Sequence, residues 1–285
     1  MNTTQENTIF VTIAAWPDWK IKTDVIRRSA EKQGVELLYV DAGKPWISYF
    51  ENKIVRLRDW LRDYSIQHPK LEYLVFADAR DAVFVKSRDE ILDLCKRFDD
   101  ERVWFNADEP MCTWPVRAKW FASRISLKYG WNGIANSGVY VGRINRVLEM
   151  FDRCTELHRF LFSKMESKPG SIEQLIKEAT NDTKGSRFRM TRYSRAETCR
   201  ESDQFNVQAL QATWDDIVAV DIDRIALAPF AEGWPTLSNW QSNGSMPLGT
   251  AGILHSPWLF PRSKMDDPEN VDAWTTWAIR EKIID

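Results

Sequence analysis

The chain has 285 residues, a formal net charge of -2 and a hydrophobic content of 44%, ordinary values for a globular protein with a substantial core. The near-balanced charge gives no global pull toward nucleic acid, and no apolar run approaches the ~20 residues that span a bilayer. The polar start, Met1 to Thr8, has no signal-peptide pattern. Cys95, Cys112, Cys154 and Cys199 make no C-x-x-C spacing, so the expectation is free thiols in a reducing, cytoplasmic setting.

Taken in chain order, Ile9–Ile13 reads as a first strand and Trp16-Pro-Asp-Trp19 as the turn after it. A helix is predicted from about Asp18 to Gly34, with Ile21, Val25 and Ala30 inward, and Val35–Val40 follows as a second strand. Ile54, Leu57, Leu61 and Tyr64 recur at helical spacing. The run Leu71–Ala77 is rich in β-branched and aromatic residues and reads as a buried strand. Ser87 and Glu90 form a capping-box pattern ahead of Ile91, Leu94, Cys95 and Phe98. Val103–Phe105 and Gly138–Val141 read as strands, the latter feeding a helix with Asn145 as its N-cap. Between 160 and 200 the periodicity fails and polar residues dominate, the pattern of an insertion or mobile loop on the acceptor side. Ser202 caps a predicted helix through Leu210; Ile217–Val220 and Ile253–Leu254 are late strands, and a closing helix is predicted after Asp266. Strands alternating with helices predict an α/β fold, with a mostly parallel sheet covered on both faces. The expectation is one compact domain over residues 1–285.

The chemistry is expected at the end of the Leu71–Ala77 strand, where Asp78 and Asp81 stand three residues apart. Ligands gather outside the carboxyl ends of strands in open α/β sheets, and two carboxylates there can hold a divalent cation. Two turn carboxylates are also commonly just exposed, and a lone histidine is usually structural. His255, one of 3 histidines, nonetheless ends another short apolar run. Two carboxylates with one imidazole suit Mn²⁺. Asn136-Ser-Gly138 reads either as a tight turn or as a sugar-contacting loop. Asp203 is either a helix first-turn acid or a catalytic carboxylate. Lys53 and Lys264 carry no local mark. The basic run Lys184, Arg187, Arg189, Arg192, Arg195 and Arg200 reads as a solvated face or as a phosphate-contacting patch.

In combination these blocks resemble the glycosyltransferase domain of procollagen lysyl hydroxylases and related collagen sugar transferases. The likeness runs in order from about Thr12 to Lys264. It rests on Lys53-Ile-Val-Arg-Leu-Arg58, Leu74-Val-Phe-Ala-Asp-Ala-Arg-Asp81, Phe105-Asn-Ala-Asp-Glu-Pro-Met-Cys-Thr-Trp-Pro115, Asn136-Ser-Gly138, Asp203-Gln204 and His255. The resemblance implies a GT-A fold, with Asp78, Asp81 and His255 binding Mn²⁺ (or Mg²⁺) and a nucleotide-sugar donor, UDP-linked in that family. It implies a base-stacking role for Trp46, and places Lys53 and Lys264 near the diphosphate or acceptor. Asn136 would lie near the sugar and Asp203 near the reacting carbon. The chain departs from the pattern at Arg80, where the family has a nucleotide-holding Tyr, and at Ser256-Pro257, which replaces a glycine-rich stretch. Arg can stack on a base or pair with phosphate.

The function expected is transfer of a sugar from a nucleotide donor to an acceptor hydroxyl. One alternative is glycosyl transfer to hydroxymethylated DNA bases, which needs base flipping. A nucleic-acid acceptor is not favoured. Another is a sugar- or nucleotide-binding module without turnover. A phosphatase using the same aspartates is the weakest reading, since neither lies in a D-x-D-x-T loop.

Overall fold

The computed structural model describes residues 1–107, 125, 133–167, 200–213, 216–223, 226–229, 252–255, 275–276, 278–279 and 282–285; side chains at 161, 163–167, 228, 229 and 255 lie outside that description. The elements are β1 (Thr8–Ile13), α1 (Trp19–Lys22), α2 (Asp24–Lys32), β2 (Leu37–Val40), a π-helical turn (Glu51–Arg56) running into α3 (Leu57–Gln67), β3 (Tyr73–Ala77), β4 (Ala82–Phe84) and α4 (Arg88–Cys95). They continue with β5 (Val103–Ala107), β6 (Ala135–Arg143), α5 (Ile144–Ser167), α6 (Asp203–Thr213), β7 (Val218–Asp221), β8 (Leu227–Pro229) and β9 (Ile253–His255).

Six strands form the main sheet in the order β2-β1-β3-β6-β5-β7. All run parallel except β6, which is antiparallel to both β3 and β5. β1 and β3 are buried along their whole length, as strands covered on both faces must be. One face packs Ile9, Val11, Leu74 and Phe76 against Phe50 and against Leu57 and Leu61 of α3, with Phe151 of α5 and Leu210 of α6. The other packs Phe10, Val75 and Val141 against Ile26 and Ala30 of α2, Ile91 of α4 and the β4 residues Ala82 and Phe84. The predicted α/β architecture with helices on both faces is therefore present.

Because β2 and β3 flank β1 on opposite sides, chain progression reverses next to β1. Such reversal opens a crevice at the carboxyl edge of the strands. A second sheet, β4-β9-β8, begins just after that edge, with β4 antiparallel to β9 and β9 parallel to β8. It is tied back by Asp221 at the end of β7, whose buried carboxylate accepts from the backbone N–H groups of Ala226 and Leu227 at 2.8 and 2.9 Å. At Gly252 an added Cβ would stand 2.7 Å from Ile91 Cγ1, so β9 can lie this close to α4 only because the position lacks a side chain.

Local differences from the sequence reading have local causes. The helix expected from Asp18 to Gly34 breaks at Thr23, whose hydroxyl donates to the Trp19 carbonyl at 2.8 Å and competes with the helical ladder. The Ser87–Glu90 capping box forms as expected. Asn145 is not an N-cap: α5 starts one residue earlier, where the Ile144 N–H is held by the Glu72 carbonyl at 2.7 Å. β4 and β8 are short strands that the apolar pattern did not separate. Of the closing helix predicted after Asp266, helical backbone is described at 275–276 and 278–279; the rest lies outside the described residues, as do Cys112 and Cys199. Among the described residues no helix is long and apolar enough to cross a membrane.

Candidate active site

The carboxyl edge of β1 and β3 carries a polar cluster built from four separate segments. β3 is a run of five buried residues that ends at Asp78, so the carboxylate stands on a fixed backbone platform. The Asp78 N–H donates to the Gly138 carbonyl at 2.8 Å, tying the Asp-Ala-Arg-Asp turn to β6. β6 runs antiparallel, so its first residues, Ala135-Asn136-Ser137, reach the same edge.

Lys53 enters from the π-helical turn. Asn52, Lys53 and Ile54 are consecutive and all buried, which the one-sided stripe of a surface α-helix does not allow. The wider π turn admits them, and such turns recur at functional sites. Asn52 Oδ1 accepts from the backbone N–H groups of Ile47 and Ser48 at 2.9 and 3.2 Å, pinning the loop that carries Trp46. Lys53 Nζ lies 2.7 Å from Asp78 Oδ1 and 2.8 Å from Asp203 Oδ2. It also lies 5.4 Å from the centroid of the Phe76 ring.

Burial of Lys53 disfavours its charge, but Asp203 and Asp78 outweigh that effect and hold its pKa above the ordinary lysine range. Removing one partner of a buried pair costs about 3–5 kcal/mol, because the other charge is left uncompensated.

Asp203 opens α6, where the helix N-terminus favours a carboxylate. Ser202 Oγ accepts from the Phe205 N–H at 3.1 Å, so Ser202 caps the helix and Asp203 is its buried first-turn acid, as the first of the two readings expects. α6 is locked to β6 by glutamines at i, i+4 and i+7. Gln204 Oε1 accepts from Ser137 N and Oγ at 2.8 and 2.9 Å, and Gln208 Nε2 donates to the Ala135 carbonyl at 2.7 Å. Gln211 accepts from the Ala135 N–H at 3.1 Å and donates to the Gly133 carbonyl at 2.7 Å. Asp203 and Asn136 are thus carried on one braced unit. Asn136 Oδ1 accepts from the Gly138 N–H at 2.9 Å, and the Asn-Ser-Gly segment lies within β6 instead of forming the tight turn or loop read from the sequence. Beside it, a β-bulge between Phe105 and Asn106 is satisfied by Asn106 Oδ1, which accepts from the Val139 N–H at 3.2 Å.

The wall of the cluster is apolar. Tyr140 stacks on Phe76 at 4.8 Å; burial, then Asp203 and Asp78, push its hydroxyl far above the usual phenol range. Cys154 is held as an inert thiol by burial and by Asp203.

At the other end of the edge, Trp46 stacks parallel on Trp16 at 5.1 Å and meets Tyr49 edge-on at 5.0 Å. Arg80 Cζ lies 6.0 Å and Lys22 Nζ 5.7 Å from the Trp16 ring centroid. An aromatic stack flanked by cations, one of them Arg80 two residues after Asp78, offers ring faces to a base and positive charge to phosphate.

Asp81 closes the turn after Asp78. Ala82, the next residue, pairs antiparallel with His255. The fold therefore brings His255, 174 positions on in the chain, to the rung beside Asp81. Among the described residues no group of three or more His, Cys, Asp or Glu residues is placed to hold a metal ion; the His255 side chain is not among them. Lys264, the 184–199 part of the basic run and the 108–115 part of the Phe105–Pro115 block also lie outside the described residues.

Sequence reasoning missed Trp16, Asn52, Asn106 and the glutamine stripe. Only the stripe left a readable signal: Gln204, Gln208 and Gln211 share one face of a helix whose other positions include Phe205, Val207, Ala209, Leu210 and Ala212. Polar residues so placed in an apolar helix need buried partners.

No protein-family model matches the chain, and no curated protein matches it in sequence. Among solved structures it is similar to a crystal structure of a glycosyltransferase involved in the glycosylation of the major capsid of PBCV-1. That similarity covers 93% of this chain and 99% of that one, at 9% identity and a TM-score of 0.46. An overlap so loose fixes neither family nor activity, and function is argued from the site.

Proposed function

We propose that the protein is a metal-dependent glycosyltransferase of the GT-A type, moving a sugar from a nucleotide-sugar donor, UDP-linked by resemblance, to an acceptor hydroxyl. The observation that carries this reading is the convergence of Asp78, Lys53 and Asp203 at the carboxyl edge beside the chain reversal, with His255 paired one residue from Asp81.

The residues present fit a divalent cation. Asp78 and Asp81 follow β3, the His255 backbone is paired beside them, and carboxylate oxygens with an imidazole are donors that Mn²⁺ accepts. Asp78, Asp81 and His255 would hold it. When bound, such an ion offsets the charge that builds on a departing nucleoside diphosphate.

The remaining roles belong to the chain's own side chains. Trp46 and Trp16 offer stacking surface to the base, and Arg80, in the position of the family's tyrosine, offers a guanidinium to base or phosphate. Asn136 reaches the sugar from the start of β6, which Gln204 fixes through Ser137. Asp203, paired with Lys53 at the α6 N-terminus, takes the acceptor's proton or stabilises positive charge at the anomeric carbon. Positioning of this kind, on elements braced before the substrate arrives, is where most of the rate of such reactions comes from.

Nucleoside diphosphate release from a panel of UDP- and GDP-sugars, with Mn²⁺ or with chelator, tests the proposal. Metal-dependent release is expected, lowered roughly 10²–10³-fold in Asp78→Asn, the scale of losing a principal electrostatic contact. Binding without release across donors and acceptors would instead mark a binding module.

A further inference from the structure

Lys53 already fills the place of a cation. Its ammonium bridges two carboxylates from distant parts of the chain, Asp78 at 2.7 Å and Asp203 at 2.8 Å. The two ends of that bridge differ. The Asp78 side chain is 23% exposed, whereas Asp203 is 7% and Lys53 5% exposed. An ion arriving from solvent therefore meets Asp78 first, at the carboxylate whose Oδ1 the lysine holds.

We propose that Lys53 is a resident counter-cation: it joins Asp78 to Asp203 until a divalent metal engages Asp78, and then shifts its charge to Asp203. This rests on the reading of Asp78 as a metal ligand. An ammonium and a divalent ion on one carboxylate repel each other across a few ångströms of poorly screened interior. The lysine can yield without becoming unpaired, because Asp203 is the deeper partner and belongs to the braced α6–β6 unit. Metal entry is in this way coupled to the position of a charge that Asp203 depends on. Lys53 is accordingly a positioning residue for Asp203 and a competitor for the metal.

The test is titration with Mn²⁺ alone, read from the electron paramagnetic resonance of the free ion, in wild type, Lys53→Met and Lys53→Arg. Lys53→Met is expected to bind Mn²⁺ at least ~10-fold tighter, the range over which neighbouring groups tune metal affinity. Lys53→Arg keeps the charge and should bind no tighter than wild type. If wild type binds Mn²⁺ and Lys53→Met binds it equally or more weakly, the counter-cation role is overturned while the metal site stands. If no form binds Mn²⁺, the metal reading itself falls and takes this inference with it. Should Lys53→Met fail to fold, the wild-type Lys53 ¹⁵Nζ resonance answers the question during titration with Mg²⁺. A shift with faster hydrogen exchange is expected; an unmoved lysine signal while the Asp78–Asp81 amides shift would overturn the proposal.

Discussion

Lysine is rarely interior unless paired, and nothing in the sequence around Lys53 says that it is paired. The two partners that justify its burial lie 25 and 150 positions away, so its role could be expected only from a resemblance. Asp78 differs: a strand that is apolar throughout and then stops at an acid is legible by itself. His158 is a second residue whose surroundings matter more than its neighbours in sequence. Its ring stacks on Phe50 at 3.9 Å, just before the π-helical turn, and its Nε2 donates to the Arg200 carbonyl at 3.1 Å, just before α6. Burial lowers its pKa, against the opposing effect of that hydrogen bond. A histidine whose folded-state pKa is depressed stabilises the fold above the ordinary value of about 6.5 and loses that contribution as the pH falls toward the lowered value. Urea midpoints are therefore expected to decline below about pH 6.5 in wild type and to decline less steeply in His158→Phe, which keeps the stack. An identical slope in the variant would assign the acid sensitivity to other groups.

At the scale of elements, most helix and strand positions followed from periodicity, and several of the differences fall where a polar side chain captures backbone. Thr23 splits a helix, Asn106 seats a bulge, and the glutamines of α6 serve as a partner for the first residues of β6. None of these changes hydrophobic spacing, so periodicity is silent about them. The stripe is also the means by which Asp203 and Asn136 keep a common frame. Gln208→Leu would remove the 2.7 Å donor to the buried Ala135 carbonyl and leave it the long 3.4 Å bond from Gln204 Nε2; weakening the partnership of a buried carbonyl in this way costs about 1 kcal/mol, the low end of the 1–3 kcal/mol for an unsatisfied group. Equilibrium urea unfolding should show a loss of about 1 kcal/mol. A change under about 0.5 kcal/mol would mean that the carbonyl is satisfied without Gln208.

Over the whole molecule, the alternation of strands and helices was sufficient to predict a mostly parallel sheet covered on both faces, and the structure has it. The place of β6 as the one antiparallel member, and the separate β4-β9-β8 sheet, were not legible, because both depend on pairings between residues far apart in sequence. Those two features assemble the candidate site. Antiparallel β6 delivers Asn136 to the carboxyl edge, and β9 delivers His255 to the rung beside Asp81. The most direct measurement is the anomalous difference density of a crystal grown with Mn²⁺ and a nucleoside diphosphate. One manganese peak shared by Asp78, Asp81 and His255 is expected, with the diphosphate against it. A nucleotide seated at this edge with no metal on these three residues, and Lys53 still joined to both carboxylates, would contradict it.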